Sequence, residues 1–182
     1  MNRSLLLVLA LCAGCATTAS TGAVADSTPA ANATALPDFA LNTVDGETVH
    51  LSDYLGKGVI VLSFWATWCE PCKTELPHLQ ELYAKHKGQG LTVLALAMDD
   101  PTTMSQVAAF AHRSGFTFPV LLDSETKAAA LYNRQKNAPY TVVIDRGGHI
   151  HSEKAGYEPG AEKALEAELE TLLATTPPAA AP

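Results

Sequence analysis

One stretch of the chain, residues 59–87, constrains the fold more than any other part. Residues 59–65 form a strongly apolar run that predicts a buried β-strand. Cys69 and Cys72 follow shortly after this run, and residues 70–87 carry apolar side chains at helical spacing. Two cysteines separated by two residues gain specificity as a redox pair when they lie between a strand and a helix. The stretch therefore predicts thiol–disulfide chemistry at a strand-to-helix junction.

The two cysteines have different predicted roles because only one lies at the helix start. Unpaired backbone N–H groups and the helix dipole favour a thiolate at Cys69, which is the predicted nucleophile. Cys72, one turn further along, would resolve the mixed disulfide that forms with a substrate. Pro71 fits the first helical turn, where its missing N–H is not needed. We expect no cofactor other than the redox-active disulfide of these two cysteines.

A zinc site is the alternative that the cysteine count raises, because the chain contains a second Cys-x-x-C pair, Cys12 and Cys15. That pair lies in a segment expected to be processed or lipidated, so it would not bind a metal inside the domain. Cys69 and Cys72 alone do not make a closed site of four ligands, and His78 belongs to the following helix. We therefore expect no metal site in this protein.

The motif Trp68-Cys69-Glu70-Pro71-Cys72, within the run FWATWCEPCK at 64–73, resembles the thioredoxin superfamily. More narrowly, it is similar to the extracytoplasmic TlpA/ResA-like thiol–disulfide oxidoreductases. The resemblance extends over about residues 36–173 and implies a thioredoxin-like α/β fold. Such a fold has a central mixed β-sheet flanked by helices, with a β-hairpin before it.

The remaining patterns agree with an α/β architecture. Residues 39–41 and 48–50 flank Asp45-Gly46, a turn signal that predicts the N-terminal hairpin. Ser124 is predicted to be the N-cap of one helix. Further strands are predicted at 91–98, 118–122, 140–145 and 150–154, and further helices at 102–113, 124–132 and 162–173.

Pro139 comes just before a predicted strand, and most prolines there have a trans bond. The resemblance implies instead a cis-proline loop that faces the cysteine pair. In that arrangement the backbone of Ala138 would pair with an extended substrate, as in β-strand addition. Ala138 and Tyr140 depart from the residues common in the family, and the polar run 133–137 is slightly longer than usual. These departures bear on substrate preference.

Three further side chains near the cysteines have two interpretations each. Trp68 either shields the disulfide and forms part of a docking surface, or packs in the core. Glu70 either opposes the thiolate and makes the pair more reducing, or points into solvent. Ser63 stands where cytoplasmic thioredoxins carry a buried aspartate, and the resemblance implies that Glu75 replaces it as the proton acceptor for Cys72. The alternative for Glu75 is a solvated helix charge.

The chain begins with a pattern typical of export. Residues 1–15 combine a basic start, a short apolar run and small residues before Cys15, which resembles a bacterial lipobox that ends in a lipidated cysteine. The alternatives are ordinary signal cleavage with a free Cys15 and a transmembrane helix, for which the apolar run is too short. Residues 16–35 are predicted to be an Ala/Thr/Ser-rich linker, residues 36–174 the domain, and residues 175–182 a disordered tail.

These patterns together predict an exported, lipid-anchored enzyme that exchanges disulfides with proteins in the bacterial periplasm or cell envelope. The resemblance implies a reductase, for example in cytochrome c maturation or disulfide repair, supplied by a membrane thiol donor. A formal net charge of −7 argues against binding nucleic acid. One alternative is a peroxiredoxin-type peroxidase, but Leu62 and Ala66 occupy the Pro and Thr/Ser positions of that motif. Another is a redox-inactive binding or chaperone module with the same fold.

Overall fold

The computed structural model describes residues 36–175. The predicted signal segment 1–15, the anchor residue Cys15, the linker 16–35 and nearly all of the predicted tail lie outside these residues. In the described part no helix is long and apolar enough to cross a membrane. The strands are β1 (Ala40–Asn42), β2 (Thr48–His50), β3 (Val59–Trp65), β4 (Leu91–Ala97), β5 (Val120–Leu122), β6 (Tyr140–Ile144) and β7 (Ile150–Ala155), and the helices are α1 (Glu70–His86), α2 (Met104–Ser114), α3 (Lys127–Tyr132) and α4 (Ala161–Ala174).

A five-stranded mixed sheet forms the centre of the fold, in the order β5-β4-β3-β6-β7. Strand β3 pairs in parallel with β4 and antiparallel with β6, so it is hydrogen-bonded on both sides. All seven residues of β3 are buried, as its continuous apolar run predicts. The predicted thioredoxin-like architecture with a central mixed sheet is therefore confirmed.

The alternation of side chains along β3 divides the core into two layers. Val59, Val61 and Trp65 face one layer, which also contains buried side chains of α1, α2 and α4. Ile60 and Phe64 face the other layer, where the sheet packs against α3 and the N-terminal hairpin. The helices therefore cover both faces of the sheet, and α1 extends from the end of β3 across the first layer.

The N-terminal hairpin is present as predicted. Strands β1 and β2 pair antiparallel, with Leu41 opposite Val49, and both of these side chains are buried. Gly46 in the turn has a φ of +90°, a conformation that glycine adopts without a steric cost. A backbone hydrogen bond of 2.9 Å from the Val44 N–H to the Val120 oxygen attaches the hairpin to β5.

The predicted start of α3 is wrong. The helix begins at Lys127, and Thr126 rather than Ser124 is its N-cap residue. The physical reason is the buried carboxylate of Asp123, which accepts hydrogen bonds from the N–H groups of Ala128 and Ala129 at 3.1 and 2.8 Å. This side chain satisfies the free donors of the first turn, so a serine cap is not required.

Close packing of two backbone segments at the starts of β3 and β4 generates a prediction. A Cβ atom placed on Gly58 would lie 1.9 Å from the carbonyl oxygen of Gly90. We expect Gly58→Ala to lower the free energy of unfolding by about 2 kcal/mol or more, because one backbone segment would have to move. Gly88→Ala is the matched control, since a Cβ there meets no atom within 4 Å. Urea denaturation measures both; equal stability of the two variants would contradict this account of the packing.

Candidate active site

The two cysteines lie at the junction between β3 and α1, and they form a disulfide with a Cα–Cα distance of 5.3 Å. Helix α1 begins at Glu70, so Cys69 is its N-cap residue, and Pro71 lies in the first turn. The Sγ atom of Cys69 accepts a hydrogen bond of 3.2 Å from the Cys72 N–H. Both cysteines are buried, and Cys69, at 4% exposed, is the more exposed residue of the two. This placement agrees with the roles that the sequence predicts for the two residues.

The loop that leads into the cysteine pair is held by a buried carboxylate that the sequence reasoning missed. Asp99, which follows the end of β4, accepts a hydrogen bond of 2.9 Å from the Thr67 N–H and another from the Thr67 hydroxyl. It is completely buried. The parallel pairing of β3 and β4 brings their carboxyl ends together, so an acidic residue just after β4 was the available signal.

The side chains around the disulfide differ strongly in exposure. Trp68 is 66% exposed beside Cys69, so the core-packing interpretation of this residue is wrong. Glu70 points into solvent and forms an ion pair with Lys73, with 2.8 Å between Lys73 Nζ and Glu70 Oε1. An exposed, paired carboxylate has a weak electrostatic effect on its surroundings because water screens it. Trp68 is thus an exposed, large apolar side chain directly next to Cys69.

The Ala138–Pro139 bond is cis, as the resemblance implies. Tyr140, the next residue, pairs with Phe64 near the end of β3, so Pro139 lies at the same end of the sheet as the cysteine junction. The preceding loop is closed by Asn133, another residue that sequence reasoning missed. Its buried side chain donates to the Asn137 oxygen at 2.8 Å and accepts from the Asn137 N–H at 3.0 Å. These two bonds explain how the polar run 133–137 is held in a fixed conformation.

Glu75 is buried on the sheet side of α1, so the solvated-charge interpretation is wrong. It is 8% exposed, and its Oε1 accepts a hydrogen bond of 3.1 Å from the Thr141 hydroxyl on β6. Its Oε2 is buried without a hydrogen-bond partner in the described part of the chain. Burial raises the pKa of Glu75 above its ordinary value, while the Thr141 hydrogen bond and the charge of Lys154 act in the opposite direction.

Thr141 and Ser63 are two further buried polar residues, on β6 and β3. They lie opposite each other in the β3–β6 pairing, and both side chains are buried. Glu75 also borders a small cavity of about 100 Å³ between α1, β7 and α4, beside His78 and Tyr157. The sequence predicted Glu75, but Thr141 was missed because its relation to α1 depends on the strand register.

The profile of the AhpC/TSA family matches residues 33–152. A thiol-disulfide oxidoreductase ResA from Geobacillus kaustophilus is 39% identical over 150 residues, covering 82% of this chain and 83% of that protein. A ResA from Bacillus cereus is 34% identical over 145 residues, covering 80% and 82% of the two chains.

Solved structures give the same result. A Chlorobium tepidum protein assigned as a thiol:disulfide interchange protein DsbE has a TM-score of 0.69 at 34% identity, covering 76% of this chain and 95% of that chain. A protein from Bacteroides thetaiotaomicron assigned as a protein disulfide isomerase has a TM-score of 0.69 at 31% identity, covering 78% and 89%. The chain therefore belongs to the AhpC/TSA family of thioredoxin-like proteins. Within this family it is a thiol–disulfide oxidoreductase of the ResA/DsbE type.

The burial of Glu75 predicts a specific pH dependence of stability. Because its pKa in the folded protein is raised above the ordinary 4.5, the folded state holds this proton more tightly than the unfolded state. Wild-type stability therefore falls as pH rises from about 4.5 through the raised pKa of Glu75. Glu75→Gln lacks this loss, so we expect its stability relative to wild type to increase with pH and then become constant.

Urea denaturation between pH 4 and pH 8 measures this difference, and Glu81→Gln on the exposed side of α1 is the control. We expect the stability of Glu81→Gln relative to wild type to change less over the same range. A relative stability of Glu75→Gln that stays constant or decreases with pH would show that Glu75 is not the source of a raised pKa.

Proposed function

We propose that the protein reduces disulfides in other proteins outside the cytoplasm, with Cys69 as the nucleophile and Cys72 as the resolving thiol. The reducing direction rests on the sequence resemblance. The observation that carries the exchange chemistry is the position of Cys69 at the N-terminus of α1, four residues after the end of a fully buried strand. A thiolate at this position is stabilised by free N–H groups and the helix dipole. The proposed redox group is the Cys69–Cys72 pair itself, without a further cofactor.

The proposed reaction transfers two electrons in two exchanges. The Cys69 thiolate attacks one sulfur of a substrate disulfide, so that a mixed disulfide forms and a substrate thiolate leaves. The Cys72 thiolate then attacks the Cys69 sulfur and releases the second substrate thiolate. The substrate is reduced to two thiols, and the protein is oxidised to the disulfide form. A membrane-bound dithiol donor would have to reduce Cys69 and Cys72 again before the next cycle.

The substrate would bind next to the disulfide, on the exposed face of Trp68 and along the backbone of Ala138. Trp68 offers a large apolar contact area at low conformational cost. The N–H and carbonyl groups of an extended substrate would pair with the loop before β6, in the manner of an added strand. The position of Pro139, just before the start of β6 and at the same end of the sheet as the cysteine junction, supports this proposal, and Pro71 and Glu70 would border the same surface.

Glu75 is the proposed proton acceptor for Cys72 in the resolving step. The two residues are three positions apart on α1 and therefore lie on the same side of the helix. A carboxyl group with a raised pKa exchanges protons more readily near neutral pH than an exposed glutamate does. Thr141 would orient the carboxyl group through its hydrogen bond to Oε1.

The sequence of residues 1–35 supports an extracytoplasmic location with a lipid anchor at Cys15, from which the linker 16–35 would hold the domain away from the membrane. Reduction of protein disulfides in such an oxidising compartment requires an external source of electrons. The specific process would be the reduction of apocytochrome c or the repair of wrong disulfides, as the sequence resemblance implies.

Two other functions use the same fold. A peroxidase of the peroxiredoxin type carries a Pro and a Thr or Ser at fixed positions before its nucleophilic cysteine, and Leu62 and Ala66 occupy those positions here. A redox-inactive binding or chaperone module would not need both cysteines at the helix start. Disulfide exchange accounts for Cys69, Cys72 and Glu75 together, and we therefore prefer it.

Reduction of insulin disulfides in the presence of a dithiol donor tests the proposed function. We expect Cys69→Ser to have no activity above the background of the donor. Cys72→Ser should accumulate a mixed disulfide because the resolving thiol is absent. Wild-type activity equal to that of Cys69→Ser would exclude the enzymatic function, and a mixed disulfide that forms on Cys72 instead would reverse the two roles.

The role of Glu75 predicts a change in the pH profile of turnover. We expect Glu75→Gln to lower turnover near pH 7 by about tenfold or more, as is typical for loss of a positioned general base. Activity should recover as pH rises, since hydroxide then deprotonates Cys72 without help. Glu81→Gln is the control on the same helix. Thiol titrations and turnover of Glu75→Gln identical to wild type would remove Glu75 from the mechanism.

The proposed anchor predicts a membrane location that depends on a single cysteine. After expression of the full chain in a bacterial host, we expect the wild type in the membrane fraction and Cys15→Ser in the soluble fraction. Ser20→Ala is the matched control because Ser20 lies shortly after Cys15 and outside the lipobox-like run 11–15. A wild-type chain found entirely in the soluble fraction would exclude the anchor.

A further inference from the structure

Near the C-terminal end of α1, away from the disulfide, three side chains with atoms that can bind a metal ion lie close together. His86 is the last residue of α1, and Glu166 and Glu170 lie on α4. One potential ligand atom from each residue lies within 4.8 Å of the other two. At a rise of about 1.5 Å per residue, this group is roughly 25 Å along α1 from the cysteine pair. The redox reaction therefore does not account for it.

The imidazole of His86 is the unusual member of this group. Its side chain is 3% exposed, and its buried Nε2 has no hydrogen-bond partner among the described residues. The Nε2 atom faces Glu170 Oε1 at 3.9 Å, which is too long for a hydrogen bond. On its other side, Nδ1 lies 3.4 Å from Gln89 Oε1. If Nδ1 carries the proton and donates it to Gln89, the lone pair of Nε2 points towards the carboxylates.

This arrangement has the features of a ligating histidine. A histidine that binds a metal commonly donates its other ring N–H to an oxygen acceptor, which fixes the tautomer and the ring orientation. Gln89 supplies such an acceptor for His86. A buried nitrogen without a partner is also costly, and a cation bound to Nε2 would satisfy it.

The two carboxylates supply negative charge at the same place. Glu166 and Glu170 are four residues apart, so they lie on one side of α4. At present the Nζ atom of Lys85 lies 2.6 Å from Glu166 Oε1 and 3.0 Å from Glu170 Oε1. The Lys85 side chain is 54% exposed, so it can move into solvent when a metal ion binds. Lys85 offsets part of the negative charge, but it leaves His86 Nε2 without a partner.

We propose that His86, Glu166 and Glu170 bind a divalent transition-metal ion of the zinc class. Histidine nitrogen and glutamate oxygen are both zinc ligands, and three protein ligands with water in the fourth position are a known arrangement for Zn²⁺. Two ligand atoms on one tetrahedral zinc are about 3.4 Å apart, so His86 Nε2 and Glu170 Oε1 would need to approach by about half an ångström. The imidazole ligand favours zinc over magnesium and calcium, which prefer oxygen ligands.

Binding would connect the C-terminal end of α1 to α4. A ligand that binds only the folded state stabilises it in proportion to the logarithm of its concentration relative to its dissociation constant. Zn²⁺ should therefore raise the melting temperature of the protein. The proposal is independent of the redox function, because the ion does not contact Cys69 or Cys72.

The test uses the full chain without an affinity tag, with Cys12→Ser and Cys15→Ser, and with the Cys69–Cys72 disulfide closed. No free thiol can then bind zinc. Calorimetric titration and thermal denaturation with ZnCl₂ should give one site per chain with a dissociation constant below about 100 µM. We expect MgCl₂ to give no comparable binding. His86→Gln and Glu170→Gln should each weaken zinc binding by about tenfold or more, which corresponds to about 1.4 kcal/mol.

Two further variants make the test specific. Lys85→Gln should bind zinc more tightly than wild type, because the competing ammonium group is removed. His112→Gln is the matched control: His112 is exposed, with its Nε2 atom 3.0 Å from Asp45 Oδ1, outside the proposed site. We expect His112→Gln to bind zinc as wild type does. If His86→Gln does not fold, the Glu166→Gln and Glu170→Gln variants on α4, at a half-buried and an exposed residue, decide the outcome. Absence of zinc binding to wild type, or binding unchanged in Glu166→Gln and Glu170→Gln, would overturn the proposal.

Discussion

The strand β3 is the constraint on which the remaining structure depends, because it is hydrogen-bonded on both sides and buried on both faces. Its pairing with β4 and β6 brings three chain segments to one end of the sheet. These segments are the Cys69 junction, Asp99 with its hydrogen bonds to Thr67, and the Pro139 loop. A shift of β3 would therefore move the cysteine pair relative to both segments that position it. The geometry of the site is a consequence of sheet register more than of contacts within the motif.

The two carboxylates that the sequence placed near the cysteines differ in burial, and their electrostatic behaviour differs with it. Glu70 lies in solvent and is paired with Lys73, so water screens its charge. Glu75 lies on the buried side of α1. Burial raises its pKa, and the Thr141 hydroxyl donates a hydrogen bond to it. Of the two acidic residues, Glu75 is therefore the one whose protonation couples to its surroundings, and it is the one to which we assign a role in proton transfer.

The local patterns predicted most of the fold. The apolar run of β3, the helical spacing of α1 and the turn at Gly46 each determine a conformation through nearby residues, and their predicted positions agree with the structure. Ser124 was predicted wrongly as a cap because the donors of α3 are satisfied by Asp123, which lies just outside the pattern.

Two of the residues that were missed, Asp99 and Thr141, have partners that are distant in sequence. Asp99 contacts Thr67, and Thr141 contacts Glu75, only because the strands are paired in a particular register. The group of His86, Glu166 and Glu170 is the extreme case, since its members lie on two helices separated by most of the domain. The spacing of metal ligands along the chain therefore gave no signal for this site.

The central claim is that the cysteine pair at the start of α1 is a reductant of protein disulfides. The most direct test is the reduction potential of the Cys69–Cys72 couple, measured by equilibration of the protein with glutathione or dithiothreitol buffers. The account predicts a value near that of thioredoxin, about −270 mV. A value near that of the strong oxidant DsbA, about −120 mV, would contradict it.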